Sequence, residues 1–237
     1  MGGGSRVVQL DDGPVAYEQA GDGPPLVLLH GAYVDSDNWA PQLESLARDF
    51  TVIAWDAPGC GGSFDPPPNL GLGGYADCLI SFLGALGVER PHLCGLSFGS
   101  SVALEVFTRR PALPRTLVLA SAFAGWAGSL GREAAEERRT EFLADADRGT
   151  DEARASGIRA IANALADADL RDGLPHIDVP TVLVYGENDD RSPVSVGEEI
   201  QAAIPASKLV VIPGAGHSVH LEAPERFNEE VRSFLRA

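Results

Sequence analysis

Short apolar runs at 26–29, 51–55, 91–96, 116–120, 181–185 and 208–212 alternate with longer stretches of helical spacing, and this rhythm constrains the fold more than any other feature. Runs of four to six mostly apolar residues read as strands covered on both faces, which is the signature of a parallel sheet between helices. The intervening stretches 38–48, 75–86, 98–109, 194–203 and 224–235 carry apolar residues at helical intervals. Pro193 and Pro224 suit the first turn of a helix, where a missing N–H leaves nothing unpaired. Ahead of the rhythm, 6–10 and 15–19 alternate around Asp11-Asp12-Gly13-Pro14 and read as a hairpin. The expected fold is α/β, a mainly parallel eight-stranded sheet flanked by helices. A chain of 237 residues has room for one such domain and buries roughly 70% of its unfolded surface without staples.

One segment breaks the rhythm. From 123 to 178 no convincing strand occurs, and 133–147 and 152–172 are charged, alanine-rich and helical. Placed between two central strands, this excursion is expected to form a short helical lid, dividing the core into 1–122 and 179–237. Its apolar residues include Phe123, Trp126, Leu130, Phe142, Leu143, Ile158, Ile161 and Leu165; Glu136, Arg139, Arg154 and Asp167 are expected to face water. Some of the apolar set must glue the lid to the body. Pro66-Pro67-Pro68 and Gly71-Leu72-Gly73-Gly74 read as loop.

The formal charge of −16 disfavours binding to phosphate backbones or anionic lipid, so neither nucleic acid nor membrane is an expected partner. No apolar run approaches the ~18 residues of a membrane span. Cys60, Cys78 and Cys94 are odd in number and lack metal-ligand spacing, which fits a reducing, cytoplasmic setting. Met1 to Ser5 has no apolar stretch and reads as a flexible arm, not a signal peptide.

Gly95-Leu96-Ser97-Phe98-Gly99 lies between a strand and a helix. A GxSxG there lifts a serine hydroxyl above the sheet on a strained turn, and its glycines clear space for the crossing strand and helix. The helix N-terminus favours negative charge developing nearby. A serine needs a base. His217, in Pro213-Gly214-Ala215-Gly216-His217, follows the last strand and emerges at its carboxyl end, where open α/β sheets place their ligands. His220 is its rival, His92 lies within a strand and His176 in a loop. An acid must orient the imidazole, and Glu187, Asp189 and Asp190 all follow the strand 181–185. Spacing alone does not choose among the three.

Five motifs in order then resemble the α/β-hydrolase superfamily, of the small lidded esterase, lactonase and C–C hydrolase type. They are His30-Gly31, Asp56 to Ser63, Gly95 to Gly99, Gly186-Glu187-Asn188-Asp189 with Pro193, and Gly214 to His217 with Glu222 and Pro224. The resemblance implies Asp189 as the acid, in a triad of Ser97, Asp189 and His217. It implies an oxyanion hole from the backbone N–H groups of Ala32 and Phe98, with His30 orienting that loop and the Asp56 to Ser63 turn structural. Cys60 has no base to pair with and is expected to be inert. Tyr33, Phe123 and Trp126 are candidate pocket residues. A serine at position 97 argues against the dehalogenases and epoxide hydrolases of this fold, which place aspartate there.

The expected activity is therefore a serine hydrolase cleaving a small, mostly apolar ester or lactone through an acyl-enzyme, with no metal or cofactor. The alternatives are a C–C bond hydrolase, a biosynthetic thioesterase or acyltransferase, and a catalytically silent ligand receptor. The expected partner is a small-molecule substrate, and the expected state a monomer or homodimer. A lid-roofed pocket is expected to be mostly apolar and to prefer short, uncharged acyl groups, unless Arg132, Arg138 or Arg139 supplies a basic patch.

Overall fold

A computed structural model describes residues 5–148 and 152–236; the arm at 1–4 lies outside the described residues. The described strands are β1 (Arg6–Leu10), β2 (Gly13–Ala20), β3 (Pro25–Leu29), β4 (Thr51–Trp55), β5 (His92–Leu96), β6 (Thr116–Ala120), β7 (Thr181–Gly186) and β8 (Ser207–Ile212). They form one eight-stranded sheet in the order β1-β2-β4-β3-β5-β6-β7-β8. β2 runs antiparallel to β1 and β4, and the remaining pairs are parallel.

Strand residues alternate between two cores, as a period of two requires. Val27, Leu29, Ile53, Trp55, Leu117 and Leu119 enter one core, while Leu26, Leu28, Val52, Ala54, Val118 and Ala120 enter the other. The first core is covered by α2 (Gly71–Ala85), α3 (Phe98–Arg109) and α7 (Val194–Ala203), the second by α1 (Ala40–Leu46) and α9 (Pro224–Leu235). At about 25 cal/mol per Å² of apolar surface, each fully buried Leu or Val contributes roughly 1.5–3 kcal/mol.

Between β6 and β7 the chain leaves the sheet and forms α4 (Trp126–Leu130), α5 (Arg132–Ala146), α6 (Glu152–Asp167) and a 3₁₀ turn at Arg171–His176. Ile161 and Leu165 of α6 are fully buried in the first core and fix the excursion to the body. Gly157 of α6 meets Gly59 backbone to backbone, and a Cβ on either would collide with the other.

Four local expectations change. Pro193 is the cap before α7, with extended backbone, not its first turn; Pro224 does open α9. Gly71 to Gly74 form the first turn of α2, because Leu72 is buried there and Gly74 admits the Leu70 side chain. The stretch around 38–48 opens as a 3₁₀ turn, Ser36–Trp39, before α1. His176 ends the 3₁₀ turn and is not in open loop.

Candidate active site

Ser97 joins β5 to α3 with φ 50° and ψ −107°, a conformation that costs a non-glycine residue of order 1–3 kcal/mol. The neighbouring glycines explain how the turn exists. A Cβ on Gly95 would strike the Gly99 carbonyl, and one on Gly99 would strike the Leu29 and His30 carbonyls. The Ser97 N–H donates to Ala120 O at 2.9 Å, and the Ser100 hydroxyl donates to Gly95 O at 2.6 Å. These bonds hold the strain in place.

His217 leaves the end of β8 and half-buries its ring. Its Nδ1–H donates to both oxygens of Asp189, at 2.9 and 3.0 Å. Because a carboxylate only accepts, the proton sits on Nδ1, and Nε2 of the neutral ring is left as an acceptor. The Asp189 side chain is fully buried. Burial pushes its carboxyl up, but hydrogen bonds from His217 and the Ser192 N–H outweigh that and hold it below the usual range. Asp190 is exposed, and Glu187 turns away to accept the Gly214 N–H at 2.9 Å.

The loop carrying His217 is fastened on three sides. Glu222 accepts the Gly216 N–H at 2.7 Å and the Ser218 N–H at 3.0 Å, bracketing the histidine. The Ser121 hydroxyl donates to His217 O at 2.9 Å. Ser192 donates its N–H to Asp189 at 2.8 Å and its hydroxyl to Ala122 O at 2.8 Å. Sequence reading gave Ser121 and Ser192 no part, since an isolated serine carries no spacing signal.

The Ala32 and Phe98 N–H groups have no acceptor among the described residues. Ala32 is positioned by His30, which is fully buried: the Ala57 N–H donates to His30 Nε2 at 3.0 Å, so Nδ1–H donates to Gly31 O at 2.7 Å. Burial holds that imidazole below its ordinary value, and it stays neutral. Asp56 anchors the adjoining turn by accepting the Ser36 and Gly62 N–H groups. Cys60 in that turn is pushed up to about 12, chiefly by burial, so it carries little thiolate. The rival His220 is buried with its Nε2 against Asn38 Oδ1 at 2.8 Å.

One cavity of about 530 Å³ is lined by Ser97, His217 and Ala32, and also by Tyr33, Phe123 and Trp126. Phe142 stands against Tyr33 at 4.6 Å and Trp126 at 4.8 Å between ring centroids. The mostly apolar wall expected from the sequence is corrected here. Arg138, Glu141, Asp145 and Arg191 also line the cavity. With Phe142, the first three occupy i, i+3, i+4 and i+7 of α5, so one helical face turns charge inward. Of the other arginines considered, Arg132 is exposed and Arg139 pairs with Glu136 at 2.5 Å. Among the described residues no group of three or more His, Cys, Asp or Glu could hold a metal ion, and no helix is long and apolar enough to cross a membrane.

The sheet order, the strained serine turn and the Asp189–His217 pair define a class, and comparison with known sequences agrees with it. Residues 26–230 match the alpha/beta hydrolase family, and the chain belongs to that family. It is 30% identical to the dihydrolipoyllysine-residue acetyltransferase component of the acetoin cleaving system of Pseudomonas putida, over 93% of this chain but 66% of that protein, a little under two thirds of its length. It is 27% identical to 3-oxoadipate enol-lactonase 1 of Acinetobacter baylyi, over 90% of this chain and 89% of the relative. Among solved structures, a hydrolase from Pseudomonas aeruginosa superposes with a TM-score of 0.85 at 29% identity, covering 99% of both chains.

Proposed function

We propose that the protein is a serine hydrolase acting on a small ester or lactone. The observation that carries this reading is the meeting, in one cavity, of Ser97 on its strained turn, the ring of His217 and the backbone at Ala32. His217 Nε2 takes the Ser97 proton as the hydroxyl oxygen attacks the substrate carbonyl. The oxyanion that forms accepts hydrogen bonds from the Ala32 and Phe98 N–H groups, which have no acceptor among the described residues. His217 then donates its proton to the departing alcohol oxygen. Water, activated by the same ring, releases the acid from the acyl-enzyme. Asp189 holds the ring in the tautomer these steps need and stabilises its cation.

Helices α4 to α6, in the segment 123–178, act as the lid, since Trp126 and the α5 face roof the cavity. A volume near 530 Å³ suits a small molecule. The enol-lactonase among the relatives supports a lactone as readily as an open ester.

A panel of 4-nitrophenyl esters of increasing chain length, run beside several lactones and a vinylogous diketone, tests the reading. Turnover of short esters or lactones, absent in Ser97→Ala, is expected. A rate that climbs steadily to long lipid chains, or cleavage of the diketone alone, contradicts it.

A further inference from the structure

Arg138 is an unusual side chain to find beside a hydrolytic serine. Its guanidinium lies 5.2 Å from the Phe123 ring centre and 5.6 Å from that of Trp126. Nη2–H donates to the Arg191 carbonyl at 3.0 Å. The group is thus held in one place by two aromatic faces and one backbone acceptor. Guanidinium offers five N–H donors, and the rest have no acceptor among the described residues. Several arginines elsewhere, Arg109, Arg171 and Arg232 among them, are matched with carboxylates. In a chain with 34 acidic against 18 basic residues, an unmatched guanidinium is not explained by a shortage of acids.

Arg191 adds a second cation to the same wall. Its side chain has no ion pair among the described residues, and its backbone N–H donates to Asp189 at 3.0 Å. Burial, and the neighbouring Arg191 charge, disfavour the Arg138 cation, while Glu141, Asp189 and Asp190 favour it without pairing to it. Asp189 is committed to His217. Burial, helped by Asp145 and Glu141 and opposed by Arg191, pushes the hydroxyl of Tyr33 up to about 12. The cavity is therefore polar along its length. Both signs share one wall: Glu141 is the strongest charge acting on Arg138, and Arg191 acts on Tyr33 along with Asp145 and Glu141.

We infer that Arg138, seconded by Arg191, forms a carboxylate-binding subsite, so that the ester or lactone opened at Ser97 carries a carboxylate on its acyl part. The reaction rests on the hydrolase reading above; the binding does not. An anion seated between the two guanidinium groups relieves their repulsion and fills the open donors, with Arg presenting a fork that matches a carboxylate. Glu141 and Asp145 on the same wall disfavour a second negative charge, so the leaving alcohol is uncharged or cationic. The preference for uncharged acyl groups expected of a mostly apolar pocket is reversed by this local field.

Monoethyl glutarate and monoethyl adipate, compared with ethyl pentanoate and ethyl hexanoate by pH-stat, give the test. The wild type should favour the half-esters in kcat/KM by about tenfold or more. Arg138→Met keeps the stem against Phe123 and Trp126 but removes the charge. It should abolish that preference, lowering kcat/KM for the half-esters about tenfold or more through KM and for the neutral esters far less, while Arg138→Lys keeps part of it. Equal losses on both substrate types, or no preference in the wild type, would overturn the subsite and make Arg138 a structural prop. Calorimetric titration with glutarate, against pentanamide, reads binding without turnover in the wild type and in Arg138→Met. Arg138-dependent glutarate binding with no ester cleaved would keep the subsite and defeat the hydrolase reading. Cleavage of neutral esters with no glutarate binding would do the reverse.

Discussion

Replacing Ser97 by alanine removes one hydroxyl from a turn whose backbone is set by Gly95, Gly99 and Ser100. The fold should be retained, and ester turnover should fall by about 10³-fold or more, the scale for loss of one member of such a triad. Circular dichroism with steady-state kinetics checks both halves. Asp189→Asn should lower kcat by a similar order, because an amide can hold the imidazole in the wrong tautomer, while Asp190→Asn changes it less than about threefold. The reverse ranking would place the orienting acid one residue on. At this scale the sequence was legible where a motif constrains backbone, as at Ser97. It was silent where function depends on direction alone. Three acids follow β7, and nothing in their spacing says that Asp189 turns inward, that Glu187 goes to Gly214 or that Asp190 stays in water. The inward turn of Arg138 was equally hidden, since α5 is charged on every side and its apolar periodicity is weak.

The elements were more readable than their edges. Six strands announce themselves as mostly apolar runs, five of them buried on both faces and β8, at the sheet edge, only partly buried, and each lies within a residue of its expected bounds. The four glycine-rich positions opening α2 misled, because helix formation there is driven by burial of Leu72, not by local propensity. Contact between elements can still be tested at a single position. Gly157→Val places a branched side chain where α6 meets the Gly59 backbone, and something must shift. If the excursion roofs the cavity, kcat/KM on short esters should fall at least about tenfold while far-ultraviolet dichroism is unchanged, since no strand of the sheet is touched. Unaltered kinetics would mean that α6 does not set the position of the roof.

For the whole molecule, stability and activity respond to pH through different groups. Burial holds His92 and His220 down at about 4, against an ordinary 6.5. Between those values the unfolded chain binds protons that the folded chain refuses. The stabilisation is therefore complete above pH 6.5 and drains as the pH falls toward 4, by about 1.4 kcal/mol per pH unit for each ring. Urea midpoints should drop between pH 6.5 and 5, before most carboxylates titrate, and His220→Gln should flatten that slope while lowering the midpoint at neutral pH. A midpoint that does not move in that window would contradict the burial assigned to these rings. The central claim, an activated serine in a molecule of this fold, is tested most directly by a fluorophosphonate probe with the labelled peptide identified by mass spectrometry. One phosphonyl group should be found on Ser97, none in Ser97→Ala, and far less in His217→Ala. A folded protein that stays unlabelled, or that carries its label on another residue, would contradict the account.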